Sequence, residues 1–544
     1  MSRWSGSAQS AWWRERADPE AVAEGAEVLL ATLRRTEDDQ GLSRALGNTH
    51  FLSWLAHLRW VRMLPEKPAE HAYFGVAENW RAFRSLSAID DFPRDVTSAL
   101  SARDLGSKVL ENLCEIEKAD PAALRRFPGL AIAFAVVWDQ PFPESWPHAN
   151  VDFNDVPIGD PSVAQRFAFF IKSHAAKYLK NDPNSLSIRE LTFVVDTPVE
   201  LRELGYVQQV KLASISKLEQ LYRAVPYDNA RIAGQNYLWQ HGAYRLIDIG
   251  KKGGICMDQA YFVAHAGKAQ CIPTVLFTGQ GRSGDHAWVG FLTGRGRWTL
   301  DAARWRGENY PIGLAFDPQS WRRITDQQME FLVKGEGDSP SAKRGKQILG
   351  WAVLNSESPS YPMILKAAGR AMPRSFEPWE LEAEWLASTK ASPKARRDFW
   401  QRWIANFTGE RDMKAKGQRA LLRVLREMGE DNDAERLERQ IITENRSKRF
   451  DLGIAVAADA VFALQEAGNW DAAAKEYDRV MGRFKRDAGG HLFYNLVEPY
   501  VQACLREGRN DVARAGMDIA EGVLKPQPGS ILANDMAGLR AETK

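Results

Sequence analysis

The chain has 544 residues, 44% hydrophobic and 26% charged, with 72 Lys and Arg against 70 Asp and Glu. That length exceeds one hydrophobic core and points to about three domains, and the composition excludes a disordered or fibrous chain. A net charge of +2 without a basic stripe argues against nucleic acid as a partner.

The first twenty residues lack the apolar stretch of a signal peptide, and no apolar run is long enough to cross a membrane. A cytoplasmic protein with no membrane partner is therefore expected, although a removed signal would leave no trace. Only four cysteines occur, Cys114, Cys256, Cys271 and Cys504, with no CxxC spacing. Neither a structural zinc site nor a disulfide framework follows, and a reducing compartment fits. No metal and no cofactor is expected, since no HExxH, P-loop or carboxylate cluster occurs.

Residues 1–185 read as an α-helical domain. Asp18-Pro19 is a helix start, a capping side chain before a residue whose fixed φ suits the first turn, and Val22, Ala26, Leu29, Leu30 and Leu33 then share a face. Further helices are expected over His50–Met63 and Gly129–Trp138, and a long loop over Asp139–Pro161. The 19 Trp residues suit packing between helices.

Residues 186–345 form the mixed part. Leu191–Tyr206, with LTFVVDTPVE, reads as a short extended segment, and Val210–Val225 as helix. Gly253-Gly254 breaks the chain, and a helix runs from Cys256 to Ala269. Strands follow over Pro273–Thr278, His286–Leu292 and Arg297–Leu300, with a hairpin turn in Thr293–Gly296.

Residues 346–544 read as helical hairpin repeats. Gly429, Gly468 and Gly508 recur at steps of 39 and 40 residues, and each is followed five residues later by an alanine, Ala434, Ala473 and Ala513. A small residue after the turn lets the second helix approach the first. The pattern resembles tetratricopeptide-type hairpins and suggests a surface for a protein partner.

The chemistry-bearing residues lie between 253 and 305. Cys256 opens a helix behind two glycines, where free N–H groups and the helix dipole favour thiolate and can bind an oxyanion. A low thiol pKa is the expectation. His286 and Asp301 flank the hairpin. A two-residue turn at Thr293-Gly294 sets them opposite each other, and a four-residue loop sets Asp301 opposite Trp288, on the same face. A three-residue loop breaks this parity. Nucleophile, base and orienting group are thus Cys256, His286 and Asp301.

Gly254-Ile255-Cys256, His286-Ala287-Trp288 and Trp298-Thr299-Leu300-Asp301 resemble the marks of the transglutaminase-like superfamily. The Cys-to-His and His-to-Asp spacings, 30 and 15 residues, suit it. The resemblance covers roughly 190–345. It implies an α+β fold with a papain-like core, the cysteine helix lying against an antiparallel sheet; the helical flanks on either side come from the sequence pattern alone. It also implies a thiol hydrolase or acyltransferase acting on amide or ester bonds of a protein or peptide substrate, with peptidase or amidase preferred. A second oxyanion donor upstream of the cysteine is assigned to Trp239, with Gln235 as the alternative. One departure is Ala302-Ala303-Arg304-Trp305, where the family carries Pro or a small polar residue after the Asp.

Gly279–Gly284 matches GxGxxG but falls between two strands, so it reads as a loop rather than a dinucleotide site. The alternative function is a non-catalytic scaffold, with the repeats binding a partner and the core acting as a recognition module.

Overall fold

The computed structural model describes residues 12–13, 15–159, 161–234, 236–281, 284–305, 310–334, 339–445, 449–486 and 489–544. Helices dominate, and one five-stranded antiparallel sheet stands among them.

The N-terminal helices begin where capping chemistry places them. Asp18 accepts the Ala21 N–H at 2.8 Å and opens Pro19–Gln40, whose buried face carries Val22, Ala26, Leu29, Leu30 and Leu33. Such a cap is worth about 1 kcal/mol. Thr49–Arg62 and Pro128–Val137 follow as helices, and the latter is buried along nearly its whole length.

Two expectations require correction. Ile188–Val195 is α-helical, not extended. Ser187 accepts the Glu190 N–H while the Glu190 carboxylate accepts the Ser187 N–H, a reciprocal cap that outweighs the weak strand preference of Thr192, Val194 and Val195. Only the stretch around Val199, which bridges Ile158, is extended. The second concerns the boundary near 346. Helices Pro340–Leu354 and Tyr361–Ala371 pack into the N-terminal core, with Trp351, Ile364 and Leu365 fully buried there. The Trp351 indole donates to Glu37, and its ring meets Phe51 edge-on at 5.4 Å. The chain thus returns to its first helices before the repeats begin.

The sheet has the order β3-β2-β1-β4-β5, with β1 Thr274–Gln280, β2 Asp285–Gly294, β3 Arg297–Ala302, β4 Leu314–Phe316 and β5 Arg323–Thr325. The Cys256–Ala269 helix packs on one face against Ala287, Val289 and Phe291, while the other face buries Phe277, Trp288, Trp298 and Leu300. Every residue of that helix is buried, so its polar groups must find partners inside the protein.

The hairpin between β2 and β3 departs from a plain ladder. Gly294 pairs with Arg297, so the turn is Arg295-Gly296, with Gly296 at φ 63°. Val289 pairs with Ala302 but Phe291 with Thr299, so Leu300 and Asp301 together oppose Gly290. A second register shift lies between Leu292 and Gly294, so the ladder is irregular on both sides of Phe291.

The C-terminal hairpins end their first helices alike. Gly429, Gly468 and Gly508 have φ of 72°, 71° and 69°. The N–H of the next residue donates back to Leu425, Leu464 or Cys504, each at 2.9 Å, closing the left-handed cap. Ala434, Ala473 and Ala513 are buried at the helix contacts. Among the described residues, no helix is long and apolar enough to cross a membrane.

Candidate active site

Gly253 and Gly254 fix the approach to the cysteine helix. Gly253 sits at φ 85°, and a side chain there would meet the Pro226 carbonyl oxygen at 2.4 Å. A Cβ on Gly254 would lie 2.4 Å from that of Asp258. Glycine is therefore a steric necessity at both positions.

Asp258 organises the helix start. It is wholly buried, and its carboxylate accepts the Ile255 N–H at 2.8 Å, the Tyr244 hydroxyl at 2.8 Å and the Arg231 guanidinium at 2.6 Å. His148 completes the chain. Its Nε2 lies 2.9 Å from the Tyr244 oxygen, and its Nδ1 accepts the Asn150 N–H. Burial pushes the His148 imidazole down to about 4, so it is neutral at physiological pH. This buried network holds Cys256 at the first position of its helix.

The backbone N–H groups of Ala287 and Met257 act on the Cys256 thiol and draw its pKa down. Tyr222 adds a second tie, its hydroxyl donating to the Ala287 carbonyl at 2.7 Å and lying 3.2 Å from that of Cys256. Helix start and strand β2 are thus pinned together beside His286. Cys256 is 8% exposed, and it lines with His286 a cavity of about 200 Å³.

A low-pKa thiol is not what this environment produces. Burial pushes Cys256 up to about 11, more than the two N–H donors pull it down. The sequence argument weighed the helix dipole without the desolvation that a fully packed helix imposes. Alkylation of Cys256 is accordingly expected to accelerate about tenfold per pH unit from pH 7 to 9, because thiolate grows in proportion to hydroxide below the pKa. A rate that flattens by pH 8 would mean a thiolate already formed near neutrality. Measuring iodoacetamide incorporation at the Cys256 peptide distinguishes the two.

The imidazole has a different orienting partner from the one expected. His286 Nε2 lies 2.9 Å from the Ala303 carbonyl oxygen. A carbonyl only accepts, so Nε2 carries the proton and the neutral ring keeps its lone pair on Nδ1. Ala303 has φ 66°, a left-handed conformation that turns the chain at the end of β3. Two residues on, Trp305 stacks on the imidazole with centroids 4.0 Å apart, while Arg304 lies over the Trp288 ring and bonds Asp326 at 3.0 Å. The stretch that departs from the family pattern is therefore the one that builds the surroundings of His286.

Asp301 is exposed and does not line the cavity; its carboxylate accepts the Thr299 hydroxyl at 3.1 Å. Trp239 is buried against Tyr244 and His241 and also stands outside the cavity lining, so the oxyanion role assigned to it has no support in its position. Gln235 and Arg282 lie outside the described residues. The loop bearing Gly279–Gly284 does join β1 to β2, as a non-nucleotide reading requires.

Sequence reasoning missed three groups of lining residues. Tyr237 falls between the two oxyanion candidates, and Trp305 closes the quoted motif, so both were within reach. Tyr494, Ile531 and Asp535 come from the last helices, some 200 residues away in sequence, and no local signal marks them. Among the described residues, no cluster of His, Cys, Asp or Glu is arranged to hold a metal ion.

No family model matches the chain, and no curated protein or solved structure matches it.

Proposed function

We propose that this chain is a cysteine-dependent acyl-transfer enzyme with a transglutaminase-like, papain-type core, acting on amide or ester bonds. The observation that carries the reading is the position of the Cys256 sulfur. It lies at a helix N-terminus and shares a cavity with His286, whose proton the Ala303 carbonyl fixes on Nε2. His286 Nδ1 takes the thiol proton as the sulfur attacks the substrate carbonyl, and a C–S bond forms. N–H groups at the helix start receive the oxyanion. The leaving group departs with the proton from His286, and the thioester is released by an acceptor that His286 deprotonates in turn.

Water is the preferred acceptor, because hydrolysis needs no second binding site, which makes the enzyme a peptidase or amidase. The resting state differs from a preformed ion pair. With the thiol pushed up to about 11, proton transfer accompanies attack. A carbonyl dipole also stabilises the imidazolium less than a carboxylate would.

Turnover of short p-nitrophenyl esters by wild type and Cys256→Ala tests the proposal. Activity should fall to the background rate in the variant. Undiminished turnover would remove Cys256 from the mechanism.

A further inference from the structure

The cavity at Cys256 is not built by the mixed region alone. Tyr494, Ile531 and Asp535, from the last helical elements, form one of its walls. Their seat is specific. Gly490 N–H donates to the Gly281 carbonyl at 3.1 Å, and the Asn495 amide donates to Gln280 at 2.9 Å. Gly284, at φ 134°, lies so close to Ile531 that a Cβ there would come within 2.7 Å of the Ile531 Cβ. Tyr494 donates its hydroxyl to Asp535 and stands in a π-helical turn, Phe493–Val497, a distortion that recurs at functional sites.

This wall limits what can reach the sulfur. A volume of about 200 Å³ equals roughly seven waters at ~30 Å³ each. An extended peptide advances about 3.3 Å per residue, so a chain running through the site needs a groove open on both sides. Here Ile531 and Asp535, both on the helix Ile531–Glu542, take up part of the cavity lining.

The wall also carries charge. Asp535 and Asp285 both line the cavity, and among the described residues no Lys or Arg lines it. Asp285 keeps an exposed edge, yet burial, then Asp535 and Glu498, push its carboxyl up to about 6. Tyr227, Tyr310 and Trp305 add aromatic faces, which suit a cation.

We infer that the C-terminal helices make this an end-acting site, whose substrate is a short acyl compound or chain end with a protonated amine near the reacting carbonyl. The inference rests on the acyl-transfer reading for its chemistry, but the shape and charge of the cavity can be read without turnover.

The test uses methanethiosulfonate reagents on the full chain at pH 8, with adduct quantified at the Cys256 peptide. Rates are normalised to those of a small free thiol. The aminoethyl reagent should outpace the sulfonatoethyl reagent by at least tenfold, and Asp535→Asn should cut that preference at least threefold. A bulky aromatic reagent should lag the methyl reagent by at least a hundredfold, and Ile531→Ala should recover at least tenfold of the lag. Should Ile531→Ala fail to fold, Ile531→Val reads the same wall with a smaller gain. A charge preference equal to that of the free thiol, or a size lag untouched by either Ile531 variant, would overturn the inference. Ester turnover that survives Cys256→Ala would instead defeat the acyl-transfer reading and leave these rates interpretable.

Discussion

His286→Ala is expected to slow acylation of Cys256 by 10²–10⁴-fold, the usual contribution of a positioned general base, while Asp301→Ala changes it by no more than about twofold. The asymmetry follows from the hydrogen bonds. The Ala303 carbonyl at 2.9 Å fixes the proton on Nε2, whereas the exposed Asp301 carboxylate accepts the Thr299 hydroxyl. Because burial raises the thiol to about 11, little thiolate exists at neutral pH without a base. Removing the base should therefore act almost wholly on the acylation rate, with substrate affinity unchanged. Pre-steady-state release of p-nitrophenol from both variants separates the roles. Equal losses in the two variants would restore Asp301 to the mechanism.

Asp258→Ala should cost about 3–5 kcal/mol of stability, the range for removing one partner of a buried ion pair. Asp258 is 0% exposed and Arg231 5%, so the guanidinium would be left charged in the interior. The Tyr244 hydroxyl and the Ile255 N–H lose their acceptor in the same step. Asp258→Asn keeps an acceptor oxygen without the charge and should fall between wild type and Ala. Urea unfolding followed by tryptophan fluorescence gives the comparison. A change below 1 kcal/mol for Asp258→Ala would mean that the network does not hold the helix start. Cys256 reactivity should fall with Asp258→Ala even where the fold survives, because the helix N-terminus loses its anchor.

What the sequence revealed and what it concealed divide by range. The cysteine helix was legible, from about Cys256 to Ala269, because its signals are local: two glycines that break the chain, then an apolar, Ala-rich stretch that ends before Pro273. The repeat glycines were legible for the same reason, since a left-handed cap selects Gly wherever it occurs. The helix Ile188–Val195 was misread because its β-branched residues were weighed and the Ser187–Glu190 cap was not. The hairpin register shifts at two places, between Val289 and Phe291 and between Leu292 and Gly294. Leu300 and Trp298 bury themselves on the sheet face opposite the cysteine helix, where the Trp288 indole donates to the Leu300 carbonyl at 2.9 Å. Asp301 beside the first of these shifts is exposed, and no local pattern announces the irregularity. The C-terminal wall depends on contacts across more than 200 residues, which no spacing rule reaches.

The desolvation of Cys256 was concealed too. A helix N-terminus can be read from the glycines, but whether water reaches it depends on everything packed above it, here Tyr222, Ile255 and Met257. The same packing explains why the site combines a well-held cysteine with a thiol that burial pushes up.

The most direct measurement is acid quenching of a short aryl-ester reaction within its burst phase, followed by peptide mass analysis. An acyl group on Cys256 that disappears on further incubation, and is absent from the His286→Ala variant on the same timescale, is the predicted result. An acyl group found on another residue, or none at Cys256 while ester is being consumed, would contradict the account.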